Sequence, residues 1–350
     1  MISQSKSVRL LSFFLLLSLF SFTATATKIL PNHADPAILL LNATYYSVES
    51  DGASIYIRSS PSLPGLAAPV VQQRVWTDSA GRGDVWAPEI TTYQGRTYIH
   101  FSSGRDAKHR MYVISADFPL GRYGSEEEVR LPGDQWAIDG TFLVYEGKDW
   151  FVWSGWESEQ NNADQKLYIC EMQGPEKAVG DRYVISEPRE SWEQGDSPLV
   201  NEGPEVIVDP EGRLHVVYSA NGSWGDKYCL ADVRLRKGGD PTQVWDWYKS
   251  NGCLFGSHRE RMMKGWDETL FVNGPGHHTF ALAEGDVRKS PGGTERIPFV
   301  FHGVDKGTTY SWANRAWYTG SFVWWSKTTY SRANVPGSNT DIGYSFKFFE

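Results

Sequence analysis

Five stretches of this 350-residue chain repeat one frame: an apolar strand, a turn, and an aromatic-rich strand that often ends in Ser. They are DPAILLLNATYYSVES from Asp35, APEITTYQGRTYIHFSS from Ala87, DGTFLVYEGKDWFVWSG from Asp139 and GPEVIVDPEGRLHVVYSA from Gly203. The fifth, HHTFALAEG from His277, reaches IPFVFHG after a longer loop. Short β-branched and aromatic runs bounded by Gly, Pro, Asn and Asp read as strands, and few stretches carry a helical period. The chain is therefore expected to be all-β. The repeat starts lie 52, 52, 64 and 74 residues apart, room in each interval for a four-stranded sheet and its loops. Four-stranded sheets repeated radially make a β-propeller, so five blades are expected. A two-sheet sandwich would leave the recurring unit unexplained.

In a propeller the first strand of every blade lines the central channel, and equivalent repeat positions converge there. At or beside those positions stand Asp35, Asp139, Glu202 and His277. Asp-Pro and Asp-Gly are common turn dipeptides and Glu202 could serve in a surface loop, so each acid alone has a bland explanation. Their common register in the repeat favours one shared site. Hydrolysis of a glycosidic bond needs an acid for the leaving oxygen and a second carboxylate on the other face of the sugar. When that carboxylate activates water, the pair lies roughly 6.5–9.5 Å apart. A third carboxylate nearby keeps the acid protonated by like-charge repulsion. The 15 Trp and 17 Tyr, in a chain of mean hydropathy −0.43, serve mainly in sheet packing. Some are available to stack on sugar rings.

Residues 1–26 read as a secretory signal: Lys6 and Arg9 precede an apolar run from Leu10 to Phe22, and Ala24-Thr25-Ala26 suits cleavage. The run is too short for a membrane span, and no other stretch is apolar enough to cross a bilayer. Residues 27–350 are expected to be one secreted, extracellular domain acting as a monomer. Losing Lys6 and Arg9 takes the net charge from −8 to −10, which argues against nucleic acid as partner. Asn42-Ala43-Thr44 and Asn221-Gly222-Ser223 are sequons consistent with an exported glycoprotein. Cys170, Cys229 and Cys253 allow one intrachain disulfide and leave one thiol, and spacing alone does not choose the pair. There is no G-x-S-x-G, no H-E-x-x-H and no Walker-type loop; GRGDVW from Gly81 lacks the third Gly of a dinucleotide fingerprint.

In this order, ADPAIL, VWAPEI, IDGTFLVYEGKDWFVWSG, NEGPEV and GPGHHTF resemble glycoside hydrolase family 43, from about Asn32 to Ala316. The set is most similar to the family's exo-acting α-L-arabinofuranosidases. The resemblance implies a five-bladed propeller acting on plant cell-wall polysaccharides such as arabinan or arabinoxylan. It makes Asp35 the general base, Glu202 the general acid and Asp139 the residue that tunes and orients the acid. Trp86 would wall the subsite of the terminal sugar. His277 would line the channel and contact substrate, and in several family members that histidine helps hold a calcium through its water shell. Calcium prefers oxygen ligands and no acidic cage is visible, so a structural calcium is an open expectation and no cofactor is needed for the chemistry. β-Xylosidase or exo-β-1,3-galactanase activity is the runner-up within the family. A sugar-binding propeller without turnover is the alternative outside it.

The resemblance fades after TYSWANRA, which ends at Ala316. From there to Glu350, 10 of 35 residues are aromatic and only Asp341 and Glu350 are acidic. Such a shift is what a frameshift or a misread intron would produce, with a genuine divergent tail as the alternative, so residues 316–350 are expected to be atypical of the family's last blade.

Overall fold

The computed structural model describes residues 26–67, 72–264, 266, 270–282, 288–289, 296–325 and 343–350. Apart from Ala26, the expected signal segment lies outside them. The described residues are almost entirely strand and loop, with only short 3-10 turns.

Strand β1 (Thr27–Pro31) precedes five antiparallel groups. The first holds β2 (Ala37–Leu41), β3 (Thr44–Ser50), β4 (Ser54–Ser60) and β5 (Gln73–Thr77). The second holds β6 (Trp86–Tyr93), β7 (Arg96–Ser103), β8 (Arg110–Ala116) and β9 (Glu127–Glu128). The third is built of β10 (Ala137–Tyr145), β11 (Lys148–Gly155), β12 (Asp164–Met172) and β13 (Ala178–Ser186). The fourth contains β14 (Leu199–Val208), β15 (Leu214–Ala220), β16 (Cys229–Leu235) and β17 (Trp247–Lys249), with β18 (Phe255–Gly256) also on β16. Two residues of β20 (Arg288–Lys289) run parallel to β14. The last group is β19 (Val272–Phe280), β21 (Ile297–Asp305), β22 (Ala316–Trp325) and β23 (Ser345–Phe349), and β1 pairs with the free side of β22.

The first strands of the groups touch in a closed cycle: β2 on β6, β6 on β10, β10 on β14, β14 on β19, and β19 on β2. Five apolar clusters fill the five gaps between neighbouring groups. Val48 and Ile55 meet Ile90 and Phe101 in one; Ile38 meets Val300 and Trp317 in the one that joins last group to first. The hairpins β2–β3, β6–β7 and β10–β11 close with Asn42-Ala43, Gln94-Gly95 and Glu146-Gly147, every residue at positive φ. That is the two-residue turn whose twist suits a hairpin.

The repeat starts share one backbone feature. Asp35, Ala87, Asp139, Gly203 and His277 have φ of 51°, 42°, 54°, 56° and 38°. For a side chain with a Cβ this left-handed region is unfavourable, and it persists only where the surroundings impose it. Pairing shifts by a bulge next to four of these positions, at Trp86/Glu89, Ile138/Thr141, Glu202/Glu205 and Gly276/His278. A bulge re-aims the side chains beside it. Here the bulges at Ile138/Thr141 and Glu202/Glu205 adjoin Asp139 and Glu202, so Glu202 lies inside β14 although the apolar run begins only at Val206.

Cys229 and Cys253 form the disulfide, with Cα atoms 5.9 Å apart, and Cys170 is a buried free thiol. Asn221 is fully buried. Its Nδ2 donates to the carbonyls of Trp192 and Lys227, and its Oδ1 accepts the Gly195 N–H. A glycan there is incompatible with this fold, so the second sequon is structural. Asn42 stands exposed on its turn. The segment expected to be atypical supplies β22 and β23, and Trp324, Phe346 and Phe348 are buried in the cluster between the fourth and fifth groups. Residues 326–342 lie outside the described set.

Candidate active site

One cavity of about 280 Å³ is lined by Asp35, Asp139, Glu202, His277 and Trp86 together. All five expected site residues therefore meet, from β6, β10, β14, β19 and the turn before β2. Trp136, Gln165, Trp224, Trp312 and Arg315 are also in the wall. None of these was singled out from the sequence.

Asp35 sits among cations and imidazoles. Its Oδ1 lies 3.2 Å from His277 Nδ1, 3.1 Å from His302 Nδ1 and 3.7 Å from Arg315 Nη1. Its own N–H donates to His302 Nδ1 at 3.1 Å. Burial works to raise the Asp35 carboxyl, but His277, His302 and Arg315 outweigh it and hold it well below the usual carboxylate range. Burial pushes His302 down to about 4, against the hydrogen bond to Asp35. Burial also lowers His277, against the attraction of Asp35. Both rings are then neutral near pH 7, and the lasting positive charge beside Asp35 is the Arg315 guanidinium.

Glu202 has the opposite environment. Burial raises it to about 7; the Tyr228 hydroxyl, donating to Oε1 at 2.9 Å, pulls it down, and the Asp35 charge pushes it up again. Asp139 is raised by burial first, then by repulsion from Glu202 and Asp35, and its Oδ2 accepts the Gly203 N–H at 3.0 Å. Asp139 and Glu202 titrate as one pair that retains a proton at neutral pH. The site thus holds one carboxyl pushed down, Asp35, facing two pushed up, Asp139 and Glu202. Two glycines make the approach feasible. A Cβ on Gly203 would come within 3.0 Å of the His277 ring, and a Cβ on Gly276 would collide with the Tyr228 ring at 2.1 Å.

The rim is aromatic. Trp86 stacks on His109 with centroids 4.1 Å apart and is 40% exposed. Trp136 stacks on Trp156 at 4.6 Å and 10°. Such rings can cover the apolar face of a sugar while the acids act on its other atoms.

The profile described as "Glycosyl hydrolases family 43" matches residues 29–321. The chain belongs to glycosyl hydrolase family 43. The extracellular exo-α-(1→5)-L-arabinofuranosidase of Streptomyces avermitilis is 30% identical over 263 residues, covering 72% of this chain and 52% of that protein. The chain spans about half the length of that relative. Among solved structures, the α-L-arabinofuranosidase from Lactobacillus brevis superposes with a TM-score of 0.72 at 23% identity, covering 86% of this chain and 93% of that one. The xylan β-1,4-xylosidase from Bacillus halodurans C-125 gives 0.62 at 15% identity, covering 86% and 55%. At these identities the two structures establish a shared fold with this family 43 chain.

The calcium expectation can be weighed against the residues themselves. Next to the site, Glu89, Asp139, Thr141, Glu205, His277 and His278 line a hollow of about 10 Å³. That is close to the room one water occupies. Among the described residues no three His, Cys, Asp or Glu side chains converge as a metal-holding group. No step of the family 43 chemistry below is routed through a metal.

Proposed function

We propose that this chain is a secreted, inverting glycoside hydrolase that releases terminal α-L-arabinofuranosyl residues from arabinan or arabinoxylan-type polysaccharides. The observation that carries the reading is the charge split within one cavity: Asp35 held ionised, and Glu202 raised to about 7 beside Asp139. The five antiparallel groups and the five cores between them support a five-bladed propeller around that cavity. Exo action and arabinofuranosyl specificity are supported by the activity for which the Streptomyces relative is named. Its extracellular description and the Cys229–Cys253 disulfide support secretion, since disulfides persist in oxidising compartments.

In this reading Asp35 takes a proton from a water on one face of the terminal sugar. That water's oxygen bonds to the anomeric carbon as the glycosidic bond breaks, and Glu202 gives its proton to the departing oxygen. One displacement inverts the anomeric centre. Asp139 repels the ionised form of Glu202 and, through the Gly203 N–H, fixes the backbone beside it. Trp86, Trp136, Trp224 and Trp312 contact the sugar faces.

A panel of aryl glycosides with NMR of the first product tests this. An aryl α-L-arabinofuranoside should be cleaved with the β-anomer appearing first. Cleavage of β-xylosides alone would favour the runner-up, whose fold the Bacillus xylosidase shares. Sugar binding with no turnover of any glycoside would leave a non-catalytic propeller.

A further inference from the structure

The loop joining β16 to β17 carries Trp245, which is 84% exposed, more than any other large hydrophobic residue among the described residues. The loop around it is tightly held. The Asp246 carboxylate pairs with Arg236 and accepts the Asp240 N–H at 2.8 Å. Trp247 is buried and its Nε1 donates to the Pro241 carbonyl at 3.0 Å. An indole kept in water by a rigid loop gains nothing for folding, because its hydrophobic contribution is forgone.

Two hollows flank this loop and meet at Thr242. One, of about 360 Å³, is lined by Tyr183, Glu187, Arg189, Gln243 and Trp245. The other, of about 320 Å³, has Tyr145, Trp150, Lys148 and Glu171 in its wall. Trp150 is itself buried, and its Nε1 finds no acceptor among the described residues. Neither hollow shares a residue with the catalytic cavity. Glu187 and Arg189 lie 3.3 Å apart and present an acceptor beside a donor, and Gln243 supplies both. A flat apolar ring bordered by balanced donors and acceptors suits a neutral polyhydroxylated chain. A polyanion is disfavoured by the net charge of −8.

We propose that the Asp240–Trp247 loop and its two hollows form a second carbohydrate-binding site, which holds a neutral pentosan away from the catalytic cavity. The proposal rests on the reading of this chain as a pentosan-active glycosidase. Trp245 is the stacking platform, with Gln243, Glu187 and Arg189 binding hydroxyls.

Affinity electrophoresis in gels containing soluble arabinoxylan or linear arabinan tests it, using the Glu202→Gln chain so that polymer survives. Adding Trp245→Ala should weaken retention by about tenfold or more, the scale expected when one central aromatic anchor is removed. Gln243→Ala should weaken it less, and free arabinose at saturation should leave retention in place. Matching unfolding midpoints verify that each variant is folded. Retention unchanged by both substitutions would overturn the proposal, as would a change in sedimentation coefficient on Trp245→Ala, which would assign the surface to a second copy of the chain. Hydrolysis of aryl arabinofuranoside by the unmodified chain is scored separately. Its loss sinks the catalytic reading, whereas Trp245-independent retention sinks this one.

Discussion

The Tyr228 hydroxyl is bonded to Glu202 while its ring lies parallel to His302, with centroids 5.4 Å apart at 9°. One side chain therefore touches both the Glu202 carboxyl and the histidine that contacts Asp35. A hydroxyl donor favours the ionised carboxylate, so it opposes the effect of burial. Tyr228→Phe should raise the apparent pKa of Glu202 above its present value of about 7. The alkaline limb of kcat/KM should then move up by about one unit, the size of a hydrogen bond to a charged group. The limb should be measured on a substrate with a poor leaving group. An unmoved limb would mean that this bond does not tune the acid.

Asp139→Asn should move the same limb the other way. The second ionisation of the Asp139–Glu202 pair is costly because two buried negative charges repel. Removing one charge lets Glu202 lose its proton at lower pH. A profile identical to that of the unmodified chain would refute the role given to Asp139.

Arg315→Met acts on the acid limb. The guanidinium, 3.7 Å from Asp35, stabilises the ionised base, so its loss raises the Asp35 pKa. Below that raised pKa the base is protonated and inactive, and the acid limb should shift to higher pH while the alkaline limb moves less. A variant that loses activity evenly across the pH range would point to substrate positioning instead.

Glu202→Gln and Asp35→Asn should separate by leaving group. An activated aryl group needs little protonation, so Glu202→Gln should lose on the order of 10²-fold or more on poor leaving groups and much less on good ones. Asp35→Asn should be inactive on both. Equal, small losses in the two variants would rule out these assignments.

Glycan attachment should follow exposure. In a glycosylating host, Asn42→Gln should remove a mobility shift that endoglycosidase also removes. Asn221→Gln should leave that shift unchanged and lower the unfolding temperature, because it breaks a buried set of hydrogen bonds. A glycan found on Asn221 would contradict the described fold.

The repeat was legible through its strand–turn–strand frame, and its starts, Asp35, Ala87, Asp139, Gly203 and His277, share a positive φ although they are only three side-chain types plus glycine. Identity varies there while conformation does not, so register brought the acids together in advance of any structure. Arg315, His302, Tyr228 and Gln165 were not legible for the complementary reason. They reach the cavity or its supports from second and third strands and from loops, where no common register marks them. Gln165 is aimed by a two-residue parallel pairing of β12 with β14 that no local pattern announces. Trp86 was found through its motif, whereas Trp136, Trp224 and Trp312 looked no different from tryptophans such as Trp153 and Trp317 that fill the core. Disulfide pairing needed coordinates, since three cysteines leave three choices.

The pairing of β1 with β22 sets an order of events during folding. Thr27 lies opposite Thr319 and Pro31 opposite Ala316, contacts nearly the whole chain length apart. Arg315 and His302, which hold Asp35 in its reactive charge state, reside in the same late segment. Closing so long a loop is entropically slow, and no fragment emerging earlier can substitute for it. The Asp35 end of the site is therefore expected to be the last part assembled. If Asp35 is the base, the site should be complete only once Thr27–Pro31 is latched to Ala316–Thr319, and unfastening that latch should disable it before the rest of the molecule comes apart.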